Sequence, residues 1–390
     1  MIDDIKKYYA FRSLIKRFIV PVLVVFMVQS GLTIEQIAII GVVTGVIGFV
    51  LEIPSGAVAD TLGHKRTLIL SMLGQALAMG LYLGGSFWWI LAASVMYWGA
   101  GTLMTGTMQA LFFERLQELG REKEHQKLSG RARSISQAFS IIAMILSGLA
   151  YAWHWWLPFI VGVAQFLLAG LIISFFHQAK KQTSVARFEP KAILSHIKLG
   201  FAEVRKSSKL FWLTIFNSLI LGLVFGSAEF HQVLLENSGL AVAMFGAVYA
   251  VKRIVGVVVP PFVHRITNKL SVPLFCGASG IFVSAILILV LAVGSPWAMA
   301  ALLGISSAPY IALTVAGNDF KNQLIKSSSR ATILSISNLV QQIFSLTFIG
   351  SIGLAIAFAE LPLLYAAWGI ALALIIGILM PPFIRAYRTA

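Results

Sequence analysis

The chain has 390 residues, of which 58% are hydrophobic and 12% are charged, and its mean hydropathy is +0.87. No soluble domain of this length keeps such a balance in solution, so the composition predicts an integral membrane protein. A formal net charge of +15 would suggest a nucleic-acid partner in a soluble protein. Here most basic residues stand between apolar runs, so we expect anionic membrane lipids as partners and no nucleic acid.

Apolar runs recur along the chain at the length that a membrane helix needs, roughly 20 residues. The N-terminal segment is charged and amphipathic and leads directly into the first run, so we expect no cleavable signal peptide. The runs predict an all-α membrane protein with about twelve transmembrane helices. Numbered as helices 1 to 12, they cover approximately 15–31, 37–58, 67–84, 90–113, 132–152, 156–176, 210–233, 241–262, 272–293, 297–317, 331–356 and 362–380.

The basic residues predict the orientation of these helices. Of the 30 Lys and Arg residues, 28 fall at the two termini or in the turns after helices 2, 4, 6, 8 and 10. Because cytoplasmic segments have the excess of Lys and Arg, both termini and these turns are predicted to be cytoplasmic. The two exceptions, Lys252 and Arg253, fall near the middle of helix 8.

The longest polar insert, residues 177–209, divides the chain into two predicted six-helix halves, residues 1–176 and 210–390. We interpret the insert as a solvated basic linker, and the alternative is a linker that includes an amphipathic helix on the membrane surface. The two halves resemble each other weakly when the chain is shifted by about 200 residues, as duplicated helix bundles do. The pattern predicts two pseudo-symmetric six-helix bundles.

One short motif follows the second apolar run: residues 56–66 read G-x-x-x-D-x-x-G-x-K-R. In this position the motif resembles the signature loop of the major facilitator superfamily, and with the two halves and the orientation the resemblance covers the whole chain. Residues 52–55 and the run 110–127 also resemble a bacterial, drug-efflux-like subset. The resemblance implies a secondary transporter in the bacterial cytoplasmic (inner) membrane.

The resemblance also implies a cytoplasmic latch between the two halves. Asp60 is expected to dock at the N-terminal end of helix 11, which begins at Ser327 to Arg330, because a carboxylate is favourable there. Gly56 is expected to let helix 2 approach a neighbour closely, and Gly63 to supply the unusual backbone dihedrals of the turn. The alternative is that these charges only set the orientation.

The basic pair of the motif needs partners at the same end of the half. We expect Lys65 and Arg66 to pair with Glu114 and Glu118, at the end of helix 4. The family pattern usually has Arg where this chain has His64, so the latch is expected to differ in detail, and His64 could make it respond to pH.

Two carboxylates fall at membrane depth, where an ionisable group is costly and is by default a functional candidate. Glu52 lies roughly 12 Å into the membrane from Asp60, at 1.5 Å per residue, and is a candidate proton carrier. The alternative is a structural ion pair or a protonated carboxyl that packs two helices. Glu229, in helix 7, is the second proton-coupling candidate, and with Gln232 it resembles a pocket-lining pair.

The adjacent Lys252 and Arg253 point about 100° apart on a helix, so at most one faces a central cavity squarely. Arg253 is the better candidate, and Lys252 is expected to snorkel or to pair with Glu229. A cation in the cavity could bind an anionic substrate or neutralise a proton-carrying glutamate, and the alternative is a structural salt bridge. In the superfamily helices 1, 4, 7 and 10 line the cavity, so Gln29, Trp98, Asn217 and Tyr310 complete the substrate-binding candidates.

The predicted function is alternating-access transport, with proton-coupled export of an amphipathic or hydrophobic small molecule favoured. Two features of proton antiporters in the superfamily, an Arg within helix 4 and a Gly-Pro motif in helix 5, do not occur here. The alternatives are an importer or exchanger of a small organic anion anchored by Arg253, and a lipid-handling or non-transporting sensor protein. With one cysteine, Cys276, and no nucleotide-binding or nucleophile motif, we expect no cofactor, no metal and no enzyme activity, in a monomer.

Overall fold

The structure, a computed structural model, describes residues 2–15, 18–177, 200–325 and 330–388. Within these ranges every regular element is helical, as predicted. Most of the predicted linker, residues 178–199, lies outside the described residues, as do Ser327, Ser328 and Ser329. The chain divides by its contacts into a first unit, Met1–Phe188 with Ala241–Ala250, and a second unit, Glu189–Leu240 with Val251–Ala390.

The first unit contains eight α-helices before the linker. Their bounds are α1 Ile2–Leu14, α2 Leu23–Gln29, α3 Ile34–Leu62, α4 His64–Tyr82, α5 Phe87–Thr102, α6 Thr107–Glu118, α7 His125–Trp153 and α8 Leu157–Ser174. The start of α3 is set by a capping box, in which the Thr33 side chain accepts from the backbone N–H of Gln36 and the Gln36 side chain accepts from the backbone N–H of Thr33. The core of the unit forms where α4 packs against α5 and α8.

The second unit begins with a helical stretch at 200–205, followed by nine α-helices. Their bounds are α9 Ser208–Ser227, α10 His231–Asn237, α11 Phe245–Val258, α12 Pro260–Thr267, α13 Val272–Ala292, α14 Pro296–Ile305, α15 Ser307–Leu324, α16 Arg330–Ala355 and α17 Leu361–Arg388. The first six residues of α11, up to Ala250, belong to the first unit. The central helix is α9, which packs against α15, α16 and α17.

By length and composition, nine stretches in the described ranges can each cross a membrane. A tenth is formed if Val242–Val258 and Pro260–Thr267, which meet at a 50° bend, count as one broken span. The other two predicted spans contain α2, which has only seven residues, and α4, which begins with His64, Lys65 and Arg66. Trp88, Trp153 and Trp297 are 74%, 75% and 64% exposed, as is typical of rings at a membrane interface.

Candidate functional site

The turn between α3 and α4 has the backbone that the motif predicts. Gly63 ends α3 and precedes α4 with φ 86° and ψ 148°, in the positive-φ region that favours glycine. Its N–H donates to the carbonyl of Ala59 and its own carbonyl accepts from Thr67. Gly63 therefore has the unusual backbone dihedrals that the motif led us to expect at this turn.

The acidic partners of the turn are arranged differently from the prediction. Nε2 of His64 lies 3.0 Å from Oε1 of Glu114 on α6. Glu118 instead accepts a 2.9 Å hydrogen bond from Arg115, one turn before it on the same helix. Within the described ranges neither Lys65 nor Arg66 forms an ion pair. His64, the first residue of α4, therefore contacts α6, whereas Lys65 and Arg66 do not pair with its carboxylates.

Arg115 ties the same end of α6 to the N-terminal helix. Its Nε donates to Oδ2 of Asp4 at 2.8 Å, and the Asp4 side chain is only 8% exposed. Tyr8 of α1 stacks on Phe112 of α6, with ring centroids 3.7 Å apart. A charge-assisted hydrogen bond and a ring stack thus fix α1 against α6.

Among the described residues, no neighbouring helix approaches Gly56 closely. A Cβ built at Gly56 would meet nothing within 4 Å, because this turn of α3 is exposed. Asp60, one turn later, is also exposed, and Ser327 to Ser329 of its expected partner lie outside the described residues. Arg330 is the first residue of α16 and is exposed. Docking of Asp60 at that helix end stays a prediction.

The two candidate proton carriers lie in different units. Glu52, on α3, is exposed, and the carbonyl of its backbone accepts from Ser55 at 2.6 Å. Glu229 is half-buried in the 3-10 turn Ala228–Phe230 that links α9 to α10. Within the described ranges neither carboxylate has a hydrogen bond or an ion pair. The alternative for Glu52, a structural ion pair or a protonated carboxyl that packs two helices, stays a prediction.

The basic pair in α11 has a partner that the sequence did not predict. Nζ of Lys252 lies 2.6 Å from Nδ1 of His231, which is 2% exposed at the start of α10. The predicted pair with Glu229 is not formed, although Glu229 is only two residues before His231. Lys252 and Arg253 are both half-buried and both make further interactions.

Two of the substrate-binding candidates lie in the first unit. Oε1 of Gln29, at the end of α2, accepts a 2.9 Å hydrogen bond from the Tyr151 hydroxyl on α7, although Gln29 is exposed. Trp98 on α5 is half-buried, and its ring meets that of Tyr97 edge to face with centroids 5.9 Å apart. A polar amide and an indole are thus available on separate helices of this unit.

The other candidates lie in the second unit. Asn217 of α9 is 1% exposed, and its amide packs against the backbone of Gly317 on α15. Its Oδ1 is buried without a hydrogen-bond partner among the described residues, which is costly unless water or a ligand provides one. Gln232 is 3% exposed beside His231, and Tyr310 of α15 is half-buried.

Two further ionisable residues of the second unit, His231 and Lys321, were not selected from the sequence. His231 lies within an apolar run, and an ionisable residue at membrane depth is a signal of function that could have identified it. Lys321 was counted with the basic turn after helix 10, yet the structure places it inside α15 at 3% exposure. Gly317 is four residues before Lys321, so the same face of α15 meets Asn217. Within the described ranges no cluster of His, Cys, Asp and Glu is arranged to bind a metal ion.

Comparison with known proteins assigns this arrangement to a family. The profile of the Major Facilitator Superfamily matches residues 8–349. No curated protein sequence matches the chain. Solved structures with the same fold include an aspartate-to-alanine variant of the nucleoside transporter NupG, at 14% identity and TM-score 0.79, which covers 98% of this chain and 99% of that one.

Two more structures share the fold at similar distance in sequence. A glutamate-to-glutamine variant of the peptide transporter POT has 13% identity and a TM-score of 0.71, with coverage of 99% of this chain and 94% of that one. A bacterial homolog of the human lysosomal transporter Spinster, inward-facing and occupied, has 14% identity and a TM-score of 0.67, with coverage of 99% and 96%. At these identities the likeness concerns the fold.

Proposed function

Because the chain belongs to the major facilitator superfamily, we propose that it is a secondary active transporter that exports an amphipathic or hydrophobic small molecule in exchange for protons. The protein is a multi-pass membrane transporter and not an enzyme. In the proposed cycle the two bundles rock about a binding site near the middle of the membrane, which opens to each side in turn.

The observation that supports proton coupling is that the carboxylates of Glu52 and Glu229 have no polar partner among the described residues. Glu229 falls within the apolar span Ser208–Asn237, and Glu52 is the last residue of the span Ile34–Glu52. An ionised carboxylate in that setting is costly, whereas a protonated carboxyl is not. Each group is therefore suited to bind a proton when it faces an aqueous cavity and to release it on the other side.

The substrate class follows from the groups available for recognition. In the second unit, Asn217 and Gln232 provide two buried amides and Tyr310 provides a half-buried ring. Pockets for small molecules combine apolar walls with a few such polar groups, which orient the ligand. A compound with apolar surface and one or two hydrogen-bonding groups fits this set, and the solved relatives that carry nucleosides and peptides suggest polar probes for comparison.

We further propose that the protein lies in the bacterial cytoplasmic membrane as a monomer, with both termini cytoplasmic. The support is the excess of Lys and Arg at the termini and in alternate turns. In this orientation the motif of residues 56–66 faces the cytoplasm. There it forms the proposed latch, with Asp60, Lys65, Arg66 and Arg330 as its charged members.

The test is transport by purified protein in liposomes with an imposed pH gradient. Ethidium serves as the amphipathic probe, with uridine, dialanine and benzoate as the alternatives, and an internal pH dye reports proton movement. We expect gradient-driven ethidium transport by the wild type. Glu52→Gln or Glu229→Gln should abolish it and leave ethidium binding intact, because only the proton site is lost.

The matched control is Glu35→Gln, since Glu35 is a half-buried carboxylate on the same helix as Glu52, in its first turn. This variant should transport like the wild type. Unchanged gradient-driven transport in both Glu52→Gln and Glu229→Gln would remove the two carboxylates from the mechanism. Transport of uridine or dialanine without transport of ethidium would contradict the proposed substrate class and favour a polar substrate.

A second candidate is an importer or exchanger of a small organic anion. It is favoured by the grouping of His231, Lys252 and Arg253 within one unit. In the benzoate assay, Arg253→Met should then lose binding of the anion alone while ethidium binding stays. The control is Lys206→Met, which removes an exposed cation paired with Glu203 on the 200–205 helical stretch. Loss of folded protein in Arg253→Met would instead indicate a structural salt bridge.

A further inference from the structure

The hydrogen bond between His231 and Lys252 joins two basic side chains inside apolar spans. Nδ1 and Nζ are 2.6 Å apart, across 21 residues of chain from α10 to α11. At this separation one nitrogen must donate and the other must accept, because two N–H groups cannot point at each other. When Lys252 is an ammonium, which has no acceptor, Nδ1 of His231 is the unprotonated nitrogen and Nε2 has the hydrogen.

This geometry limits the charge of the pair. With Lys252 as an ammonium, the two side chains share one proton between Nζ and Nδ1, and the pair bears one positive charge. A second positive charge on the imidazole would place two cations 2.6 Å apart and break the contact. The contact thus excludes the doubly charged pair and is compatible with one positive charge or with none.

His231 also borders a place where water can sit. Its side chain lines a small cavity in the second unit, with room for about one water molecule. Ser227, Ser306 and Tyr365 are the other polar residues of the wall, and aliphatic side chains of α9, α13 and α14 form the rest. The Tyr365 hydroxyl donates to the carbonyl of Ser227, which fixes that side of the cavity. The second imidazole nitrogen, Nε2, is the atom left to exchange a proton with such a water.

We propose that His231 and Lys252 form a proton-binding site of the second unit. In the release step one proton passes from Nζ to Nδ1, the hydrogen on Nε2 passes to water in the cavity, and the pair goes from one positive charge to none. The reverse step loads it. This inference rests on the proposed coupling to protons and adds a site of two bases to the two carboxylates.

Other ionisable groups surround the pair and will influence its charge. Glu229 precedes His231 by two residues, and Arg253 follows Lys252 directly. Tyr365 on α17 borders the same cavity as His231. α14 packs against α10 and has no ionisable residue. Glu229 is therefore the group to neutralise in a companion variant.

The test is nitrogen NMR of purified protein with labelled histidine, titrated from about pH 5 to about pH 9. The chain has 7 histidines, and the signal lost in His231→Gln identifies His231. In the wild type we expect Nδ1 of His231 to be the unprotonated, hydrogen-bonded nitrogen. That state is the loaded pair and is expected at the acidic end of the titration, whereas release towards alkaline pH should leave Nδ1 protonated and Nε2 bare. A protonated Nδ1 with a bare Nε2 at every pH of the titration would overturn the proposal without any need of a variant.

Two lysine variants complete the NMR test. In Lys252→Met the His231 titration should shift clearly, because its partner is gone, and in Lys206→Met it should stay as in the wild type. Glu229→Gln as a single variant shows how strongly the Glu229 carboxylate influences the His231 titration. An identical His231 titration in the wild type and in Lys252→Met would mean that the two side chains do not share a proton.

Proton uptake during ethidium transport in liposomes separates this inference from the proposed function. Loss of proton uptake in Lys252→Met, with retention in Lys206→Met, supports the site. If the wild type takes up no protons while NMR shows the coupled pair, proton coupling fails and the pair stands as a proton-binding site. If the wild type is proton-coupled and Lys252→Met takes up protons equally well, the pair is no part of the proton path.

Discussion

His64 and Glu114 join the turn after α3 to helix α6, with Nε2 and Oε1 3.0 Å apart. His64 is the first residue of α4, so its side chain links the start of that helix to α6. The side chains are 20% and 40% exposed, so solvent weakens the interaction.

We expect the contact between His64 and Glu114 to contribute a small coupling free energy that Lys65 does not share. In a double-mutant cycle with His64→Gln and Glu114→Gln, the coupling free energy should be about 0.2–1 kcal/mol, as for other exposed pairs. The same cycle with Lys65→Gln and Glu114→Gln should give no coupling, because Lys65 has no ion pair among the described residues. Chemical unfolding in detergent provides both values, and coupling to Lys65 alone would contradict the arrangement.

The contact between Asn217 and Gly317 leaves no space for a side chain on α15. A Cβ at Gly317 would lie 2.1 Å from Nδ2 of Asn217. Gly317→Ala should therefore destabilise the protein by about 1–3 kcal/mol, since a buried amide must move. Because the obstacle is one short side chain, Asn217→Ala in the same chain should recover part of the loss. Apparent melting temperatures of the three variants measure this, and an additive double variant would argue against the contact.

A second glycine permits α9 and α16 to cross closely. A Cβ at Gly222 would lie 2.6 Å from the carbonyl oxygen of Gln341 and 2.7 Å from Cβ of Phe344. Because backbone cannot yield easily, Gly222→Ala should lower the stability by about 1–3 kcal/mol. The matched control is Gly377→Ala on α17, where a Cβ would meet nothing within 4 Å. That change should be neutral or stabilising by about 0.5–1 kcal/mol. Equal effects of the two variants on the melting temperature would contradict the crossing.

Lys321 is expected to reduce the stability of the second unit. It is 3% exposed, and within the described ranges no acidic group pairs with it. Cys276, a buried free thiol on α13, lies close enough to interact with it electrostatically. Since a buried cation without an acidic partner is costly, Lys321→Met should raise the stability by about 1–4 kcal/mol. A lower melting temperature would show that the ammonium has a favourable partner; loss of transport in the stabilised variant would assign it to function.

Much of the fold could be predicted from the sequence because a bilayer imposes constraints that act along the chain. Apolar length gives the spans, since every backbone polar group must find its partner within a helix. The positive φ at Gly63 was also predictable, because glycine adopts it without steric cost. In the part of the chain that the structure describes, two of the twelve predicted spans have no helix that is long and apolar enough to cross a membrane. They contain α2, which is short, and α4, which begins with basic residues.

The partners of individual side chains could not be predicted in the same way. Whether His64 or Lys65 reaches Glu114 depends on the rotation of α4 about its axis, and spacing along the chain does not specify that rotation. Lys252 was expected to snorkel or to pair with Glu229, and its Nζ lies beside His231, two residues after Glu229.

The sequence by itself thus determined the membrane class, the approximate spans and the family motif, because composition, length and glycine conformation are local properties. Only the tertiary structure decided that Gly56 is open, that Lys321 is buried and that His231 and Lys252 share a hydrogen bond. The physical reason is that burial and pairing depend on how helices rotate and cross, which many weak contacts settle together.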